Sequence, residues 1–448
     1  MRIHITYTGG TIGMIDSPNG LIPGADTRGW LFRLLEDAHM DASLFTFTEL
    51  DPLIDSSNAT PDNWQTMVDD LRAHHDDADA FVVLHGTDTM SYSSAALSYA
   101  LADFGKPVLI YPNLYLVRVP LPHNPLRALN SYFILDDDGT TTIVDVGFNH
   151  PDCEQALDDA LAALGRSWDK VQVVLTHSHP DHTGNLDRIW REGMPVLANL
   201  HSFQEVKNLM EIEDNVYGPL LLQAATLEQQ RDLTFDEKGP RLHVSAELLP
   251  LSTYPVMTYL ADGDCLKVGE FEFEVIETPG HDPWHICLYE AAHKILLSGD
   301  HVLERITPSV SSWFPAYNAL AEFLESLEKV GGYDVDLVLP AHGKPFTGMR
   351  ERVDFLIEHH HKRLEEIYEL VAAGHDDIVQ ISQHATWRYP DWKSWPLDQK
   401  YFSMGETLAH LIYLVREGRI LQGICGHEYY FRMPYDRKNL ALAPGTTS

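Results

Sequence analysis

The stretch THSHPDHTGN, Thr176 to Asn185, constrains this chain more than any other. It gathers His177, His179, Asp181 and His182 within one short turn. The apolar run VQVVLTH leads into it. On a strand, residues i and i+2 point to the same side, so the His177 and His179 imidazoles can face one ion. Asp181 and His182 follow before LDRIW begins a helix. The ends of strands in a layered α/β protein are the usual address of such a site.

Three later pieces supply matching side chains. TPGHDPWHICLY places His281 after a glycine-containing turn and His285 shortly after it. LLSGDH ends an apolar run on Asp300, and LVLPAHG ends another on His342. Neutral imidazole and carboxylate suit zinc, and they accept iron or manganese as well.

In order, HxHxDH, His, Asp and His resemble the metallo-β-lactamase superfamily, over roughly residues 113–350. The resemblance implies an αββα sandwich of two sheets between helices. It implies two zinc ions, the first held by His177, His179 and His281. Asp181, His182 and His342 would hold the second, with Asp300 bridging the two. Asp145, in IVDVG, resembles the aspartate that orients ligands from behind. Asp181 and His285 are the candidate catalytic side chains, His285 either touching substrate or holding a hydrogen bond behind the ligands. Paired cations about 3.5–4 Å apart share a water and lower its pKa toward ~7, so no serine or cysteine nucleophile is needed. Keeping Asp300 resembles the glyoxalase II, lactonase, thioesterase and ribonuclease branches rather than antibiotic-degrading enzymes. The expected reaction is hydrolysis of a thioester, lactone or other ester, with phosphodiester cleavage as the alternative.

Charge bears on that choice. The chain has 32 basic and 66 acidic side chains, a net of −34. Such a field repels nucleic acid, so RNA is disfavoured as a partner and a small-molecule substrate is expected. The tail from Ile378 is slightly basic, and its Trp387, Tyr389, Trp392 and Trp395 could stack bases, line an acyl pocket or pack the tail inward. A metal-binding or RNA-binding protein without turnover is the competing class.

The N-terminal quarter reads differently. IHITYT, FTFTEL, AFVVLHG and PVLIYP alternate with helical stretches, a partial Rossmann-like parallel βαβ fragment over residues 1–112. TYTGGTIGM, PLIDSSNATPDNW and HGTDTM together resemble the N-terminal part of a type I bacterial L-asparaginase. The resemblance implies a threonine nucleophile at Thr11, with Ser56, Thr87 and Asp88 holding substrate and supporting catalysis. Past GKPVLI the family's lysine and second domain have no counterpart here. A hydroxyl needs an activating partner, so this site is expected to be inactive, a relic of gene fusion.

Residues 351–448 open with the charged run RERVDFLIEHHHKRLEEIYELVAAG. His359, His360 and His361 read there as a solvated helical face. The remainder suggests helices and a hairpin in winged-helix order. Four cysteines form no CxxC pair, and RIHITYTGG lacks the features of a signal peptide. No apolar run approaches the ~18 residues of a membrane helix. A cytoplasmic chain is expected, with a homodimer compatible.

Overall fold

The computed structural model describes residues 2–9, 14–17, 20–23, 27–38, 40–54, 59–75, 77–78, 80–86, 93, 97, 106–199, 206, 216–236, 239–242, 255–312, 316–425 and 428–434. Ile3–Tyr7 lies between Phe45–Glu49 and Ala80–Leu84, and all three strands are parallel. The crossover helix Pro61–Ala73 starts where Thr60 and Asn63 cap one another, with proline in the first turn. It buries Met67, Val68 and Leu71.

The fourth expected strand goes elsewhere. Val108–Tyr111 turns back on itself and pairs antiparallel with Leu114–Pro120. The reason is the tight turn at Pro112 and Asn113, where Asn113 takes φ 63°, a conformation asparagine tolerates. PVLIYP therefore forms an edge of the next sheet rather than extending the N-terminal one.

That next sheet has seven strands. In spatial order they are Met257–Tyr259, Val196–Ala198, Val171–Val174, Thr141–Val144, Ala128–Leu135, Leu114–Pro120 and Val108–Tyr111. A second sheet follows the order Cys265–Val268, Phe271–Glu277, Ile286–Glu290, Ile295–Gly299 and Leu337–Pro340. Leu116, Tyr132, Ile134 and Val144 of the first meet Phe271, Phe273, Val275 and Leu288 of the second in one buried core. Outside the first sheet, Cys153, Leu157, Ala160 and Leu161 of the helix Pro151–Ala163 cover its far face. Outside the second, Ile276, Cys287 and Leu296 meet the helices Ala319–Gly331, Met349–Ala372 and Leu397–Arg416. Val275 faces one core and Ile276 the other, the period-two alternation of a strand. The result is an αββα sandwich.

The helix Met349–Ala372 buries Val353, Leu356, His360, Leu364, Ile367 and Val371. Three- and four-residue steps make this one stripe, and His360 falls on it. The solvated-face reading therefore fails for His360, which is fully buried and lies 3.2 Å from His410. The tail continues with Ile378–His384, Leu397–Arg416 and the hairpin Leu421–Cys425 with Glu428–Arg432. Trp392 is buried and donates to Ser403 Oγ at 2.7 Å, while Trp387 donates to the Ser382 carbonyl at 2.7 Å. These rings pack the tail; Tyr389 stays exposed. Among the described residues no helix is long and apolar enough to cross a membrane.

Candidate metal centre

Four strand ends of the sandwich converge. After Val171–Val174 the chain presents His177 and His179, and the short turn of helix Pro180–Thr183 brings Asp181 and His182. His281 follows the strand Phe271–Glu277, Asp300 follows Ile295–Gly299, and His342 follows Leu337–Pro340. One ligand atom from each of His177, His179 and His281 lies within 4.8 Å of the other two. The same holds for Asp181, His182 and His342, and for His177, His182 and Asp300.

The spacing is that of side chains around a common centre. His177 Nε2 and His179 Nδ1 are 3.1 Å apart. His342 Nε2 lies 3.3 Å from Asp181 Oδ2 and 3.5 Å from Asp300 Oδ1. Asp300 Oδ2 faces His281 Nε2 at 3.6 Å and His182 Nε2 at 3.8 Å. Asp300 thus reaches both clusters, with Oδ2 facing His281 of one and His182 of the other, and Oδ1 facing His342.

The outward nitrogens are already committed. His182 Nδ1 donates to Asp145 Oδ2 at 2.8 Å, His281 Nδ1 to the Ser309 carbonyl at 2.6 Å, and His342 Nδ1 to the Ala128 carbonyl at 3.0 Å. Those bonds leave each Nε2 bare and aimed inward. His182 Nε2, His281 Nε2, His342 Nε2 and Asp300 Oδ1 are buried and make no hydrogen bond. Four orphaned polar atoms around one point would be costly in a finished protein interior. Bound cations would satisfy these atoms, so this donor set fits a metal centre.

The electrostatics agree. Burial, then the neighbouring histidines, holds His177 well below its usual pKa. Burial also lowers His179, and it takes His281 to about 4. These imidazoles are neutral near pH 7, as ligands must be. Asp181 sits at about 2 because His182 and His342 outweigh the effect of burial, and the same kind of contacts hold Asp300 well below the carboxylate range. Burial disfavours charge on His182, but Asp145, Asp181 and Asp300 together raise its pKa. Three carboxylates around one imidazole call for positive charge there.

Asp145 is held at φ 60° and accepts from the Thr176 amide at 2.8 Å and the Thr176 hydroxyl at 2.7 Å. His285 sits behind the cluster. Its Nδ1 meets Thr278 Oγ1 at 2.7 Å, and its Nε2 accepts from the Asp300 amide at 3.1 Å. With both nitrogens occupied and the ring fully buried, it supports the Asp300 backbone. His301, two residues past the strand Ile295–Gly299, is buried against Phe323.

Sequence reasoning missed the tie between Ser178 and Asp282. The Ser178 hydroxyl donates to Asp282 Oδ2, and Asp282 Oδ1 accepts from the Trp284 amide at 2.7 Å. It joins the turn of His177 and His179 to the turn of His281. The only signal was adjacency to ligands, which does not say where a side chain points.

Thr11, Ser56, Thr87 and Asp88 lie outside the described residues. Their flanks converge nonetheless. The Thr8 amide donates to the Leu84 carbonyl at 3.0 Å, and the Ile54 amide donates to the Thr8 carbonyl at 2.6 Å. The three threonine- and serine-bearing motifs therefore start from neighbouring strand ends. Thr8 Oγ1 also meets His85 Nδ1 at 2.6 Å.

Residues 2–111 match the family model "Asparaginase, N-terminal", and residues 125–342 match that of the metallo-beta-lactamase superfamily. The first segment is 47% identical over 109 residues to L-asparaginase 1 of Escherichia coli K12, covering 24% of this chain and 32% of that protein. The chain thus spans about a third of the asparaginases it matches. Across 332 residues it is 25% identical to the probable metallo-hydrolase YqjP of Bacillus subtilis, covering 70% of this chain and 96% of that one. Among solved structures, a metallo-beta-lactamase family protein of Thermus thermophilus aligns at TM-score 0.57 and 29% identity, covering 73% of this chain and 100% of that one. A beta-lactamase domain protein of Burkholderia ambifaria aligns at TM-score 0.57 and 26% identity, covering 74% and 95%. Residues 125–342 therefore form a domain similar to the metallo-beta-lactamase superfamily, preceded by a segment similar to the asparaginase N-terminal family.

Proposed function

We propose that the chain is a dinuclear zinc hydrolase of a thioester, lactone or other ester. His177, His179 and His281 would hold one ion and Asp181, His182 and His342 the other, with Asp300 between them. The observation that carries this reading is the convergence of bare His182 Nε2, His281 Nε2, His342 Nε2 and Asp300 Oδ1 on one buried centre. When bound, paired cations activate a water and polarise the carbonyl it attacks. The chain's own contribution is placement. Asp145, Ser309 and Ala128 fix the tautomers of three ligands. Asp300 is held from behind through the His285 bond to its amide.

The net charge of −34 favours an ester over RNA. The asparaginase segment is inactive in this reading, since the chain spans only a third of that enzyme. Two variants separate the readings: His179→Ala and Thr11→Ala, each assayed on a thioester and lactone panel and on asparagine. Loss of ester hydrolysis in His179→Ala alone supports the proposal. Asparagine turnover that disappears only in Thr11→Ala overturns it.

A further inference from the structure

The loop that carries His342 leaves the strand Leu337–Pro340 of the second sheet and is gripped through its backbone by the first. Asn130, on the strand Ala128–Leu135, makes most of the contacts. Its amide donates to the Ala341 carbonyl at 2.7 Å. Its side-chain Nδ2 donates to the Pro340 carbonyl at 2.7 Å and to the Gly343 carbonyl at 3.2 Å. The Tyr132 hydroxyl adds a bond to the Pro340 carbonyl at 2.8 Å, and Arg118 Nη1 adds one to the Gly343 carbonyl at 2.9 Å. His342 sits inside this clasp, with its Nδ1 donating to the Ala128 carbonyl at 3.0 Å.

Arg118 governs how Asn130 is turned. The two residues are directly opposite in the strand register, so their side chains share one face of the sheet. Arg118 Nη1 donates to Asn130 Oδ1 as well as to the Gly343 carbonyl. A guanidinium only donates, so the Asn130 oxygen must face it and both Nδ2 hydrogens must face the loop. Turned the other way, the amide would set its oxygen against the Pro340 and Gly343 carbonyls. Burial lowers the pKa of Arg118, with no carboxylate beside it to offset that, and its buried Nε has no partner among the described residues. A guanidinium held in this way costs the fold desolvation energy. What it provides in return is the orientation of the loop around His342.

We propose that Arg118, acting through Asn130, is a positioning residue for His342 and so sets metal affinity at the cluster of Asp181, His182 and His342. This rests on the dinuclear reading and adds to it a side chain outside the ligand set. The effect is confined to one cluster. Among the described residues, no hydrogen bond from Arg118 or Asn130 reaches the turns of His177, His179 and His281. Those turns are held by other groups, Thr176 beside His177 and the Ser309 carbonyl beside His281. Without Arg118, His342 keeps its bond to Ala128 but loses the fixed backbone on either side of it.

Two parent chains, each full length and without a histidine tag, isolate the clusters. His281→Ala leaves Asp181, His182 and His342 intact, and His182→Ala leaves His177, His179 and His281. Zinc affinity is measured in each parent by chelator competition, then again with Arg118→Met, which keeps an unbranched stem but donates nothing. Affinity should fall about 10–100-fold in the His281→Ala parent and stay within about twofold in the other. Arg118→Lys, which is also a pure donor, should recover most of the loss. Equal losses in both parents, for Arg118→Met and Arg118→Lys alike, mark a general defect of the fold and overturn the proposal. Unchanged affinity in both parents overturns it as well. Parents that bind no zinc at either cluster overturn the dinuclear reading and this role together, so the two failures are distinguishable.

Discussion

Asp145 Oδ2 accepts a hydrogen bond from His182 Nδ1 at 2.8 Å, with both side chains fully buried. The same carboxylate accepts from the Thr176 amide and hydroxyl, so it ties the strand end before His177 to the turn that carries His182. Asp145→Asn keeps the left-handed backbone, which asparagine tolerates, but loses the charge behind His182. Zinc affinity measured by chelator competition should fall about 10–100-fold. Unchanged affinity would mean that Asp145 serves only the fold.

Ser178 and Asp282 couple the two turns that bear His177, His179 and His281. Burial pushes the Asp282 pKa up despite the Ser178 bond. Ser178→Ala leaves that carboxyl without one of its partners, at an expected cost of roughly 1–3 kcal/mol in urea unfolding. An effect well below this range would remove the pair from the account.

Gly405 lets the helix Leu397–Arg416 approach the segment that orients His281. A Cβ there would sit 2.5 Å from Ser311 Oγ and 2.9 Å from Ser311 Cβ. Two residues earlier, the Ser309 carbonyl accepts from His281 Nδ1. Gly405→Ala should weaken cobalt binding at the three-histidine cluster, read from its visible absorption, about 10-fold or more. Adding Ser311→Gly, which clears the clash, should restore it. A double variant as weak as the single one would contradict the coupling.

His410 gives the pH dependence. Burial lowers its pKa to about 3, with His360, His359, Arg363 and Glu406 around it. The unfolded chain protonates this histidine below about pH 6.5, whereas the folded chain stays neutral until about 3. Between those values the unfolded state binds more protons, so stability falls as pH falls, by up to about 1.4 kcal/mol per unit for one proton. His410→Gln should flatten that slope by about one proton in acid-dependent unfolding. An identical slope in the variant would rule out His410 as a source.

Much of the candidate site was legible because His177, Asp300 and His342 are polar residues that follow apolar strands: VVLTH, LLSGD and LVLPAH announce themselves. The αββα layering was legible through the resemblance those motifs carry. PVLIYP was not, because whether a strand pairs ahead or behind depends on the turn after it. Here Asn113 folds the chain back. His360 was misread because three consecutive histidines among charges look solvated, while the stripe from Val353 to Val371 passes through the middle one. His285 was left between two roles because proximity to His281 in sequence did not reveal the Asp300 amide it faces. Ser309 and Ala128 contribute backbone carbonyls, which carry no side-chain signature.

The most direct measurement of the central claim is anomalous diffraction at the zinc edge from crystals of the zinc-loaded chain. The account predicts two peaks about 3.5–4 Å apart, one against His177, His179 and His281 and the other against Asp181, His182 and His342, with Asp300 between them. A single peak, or none, among these seven side chains would contradict it.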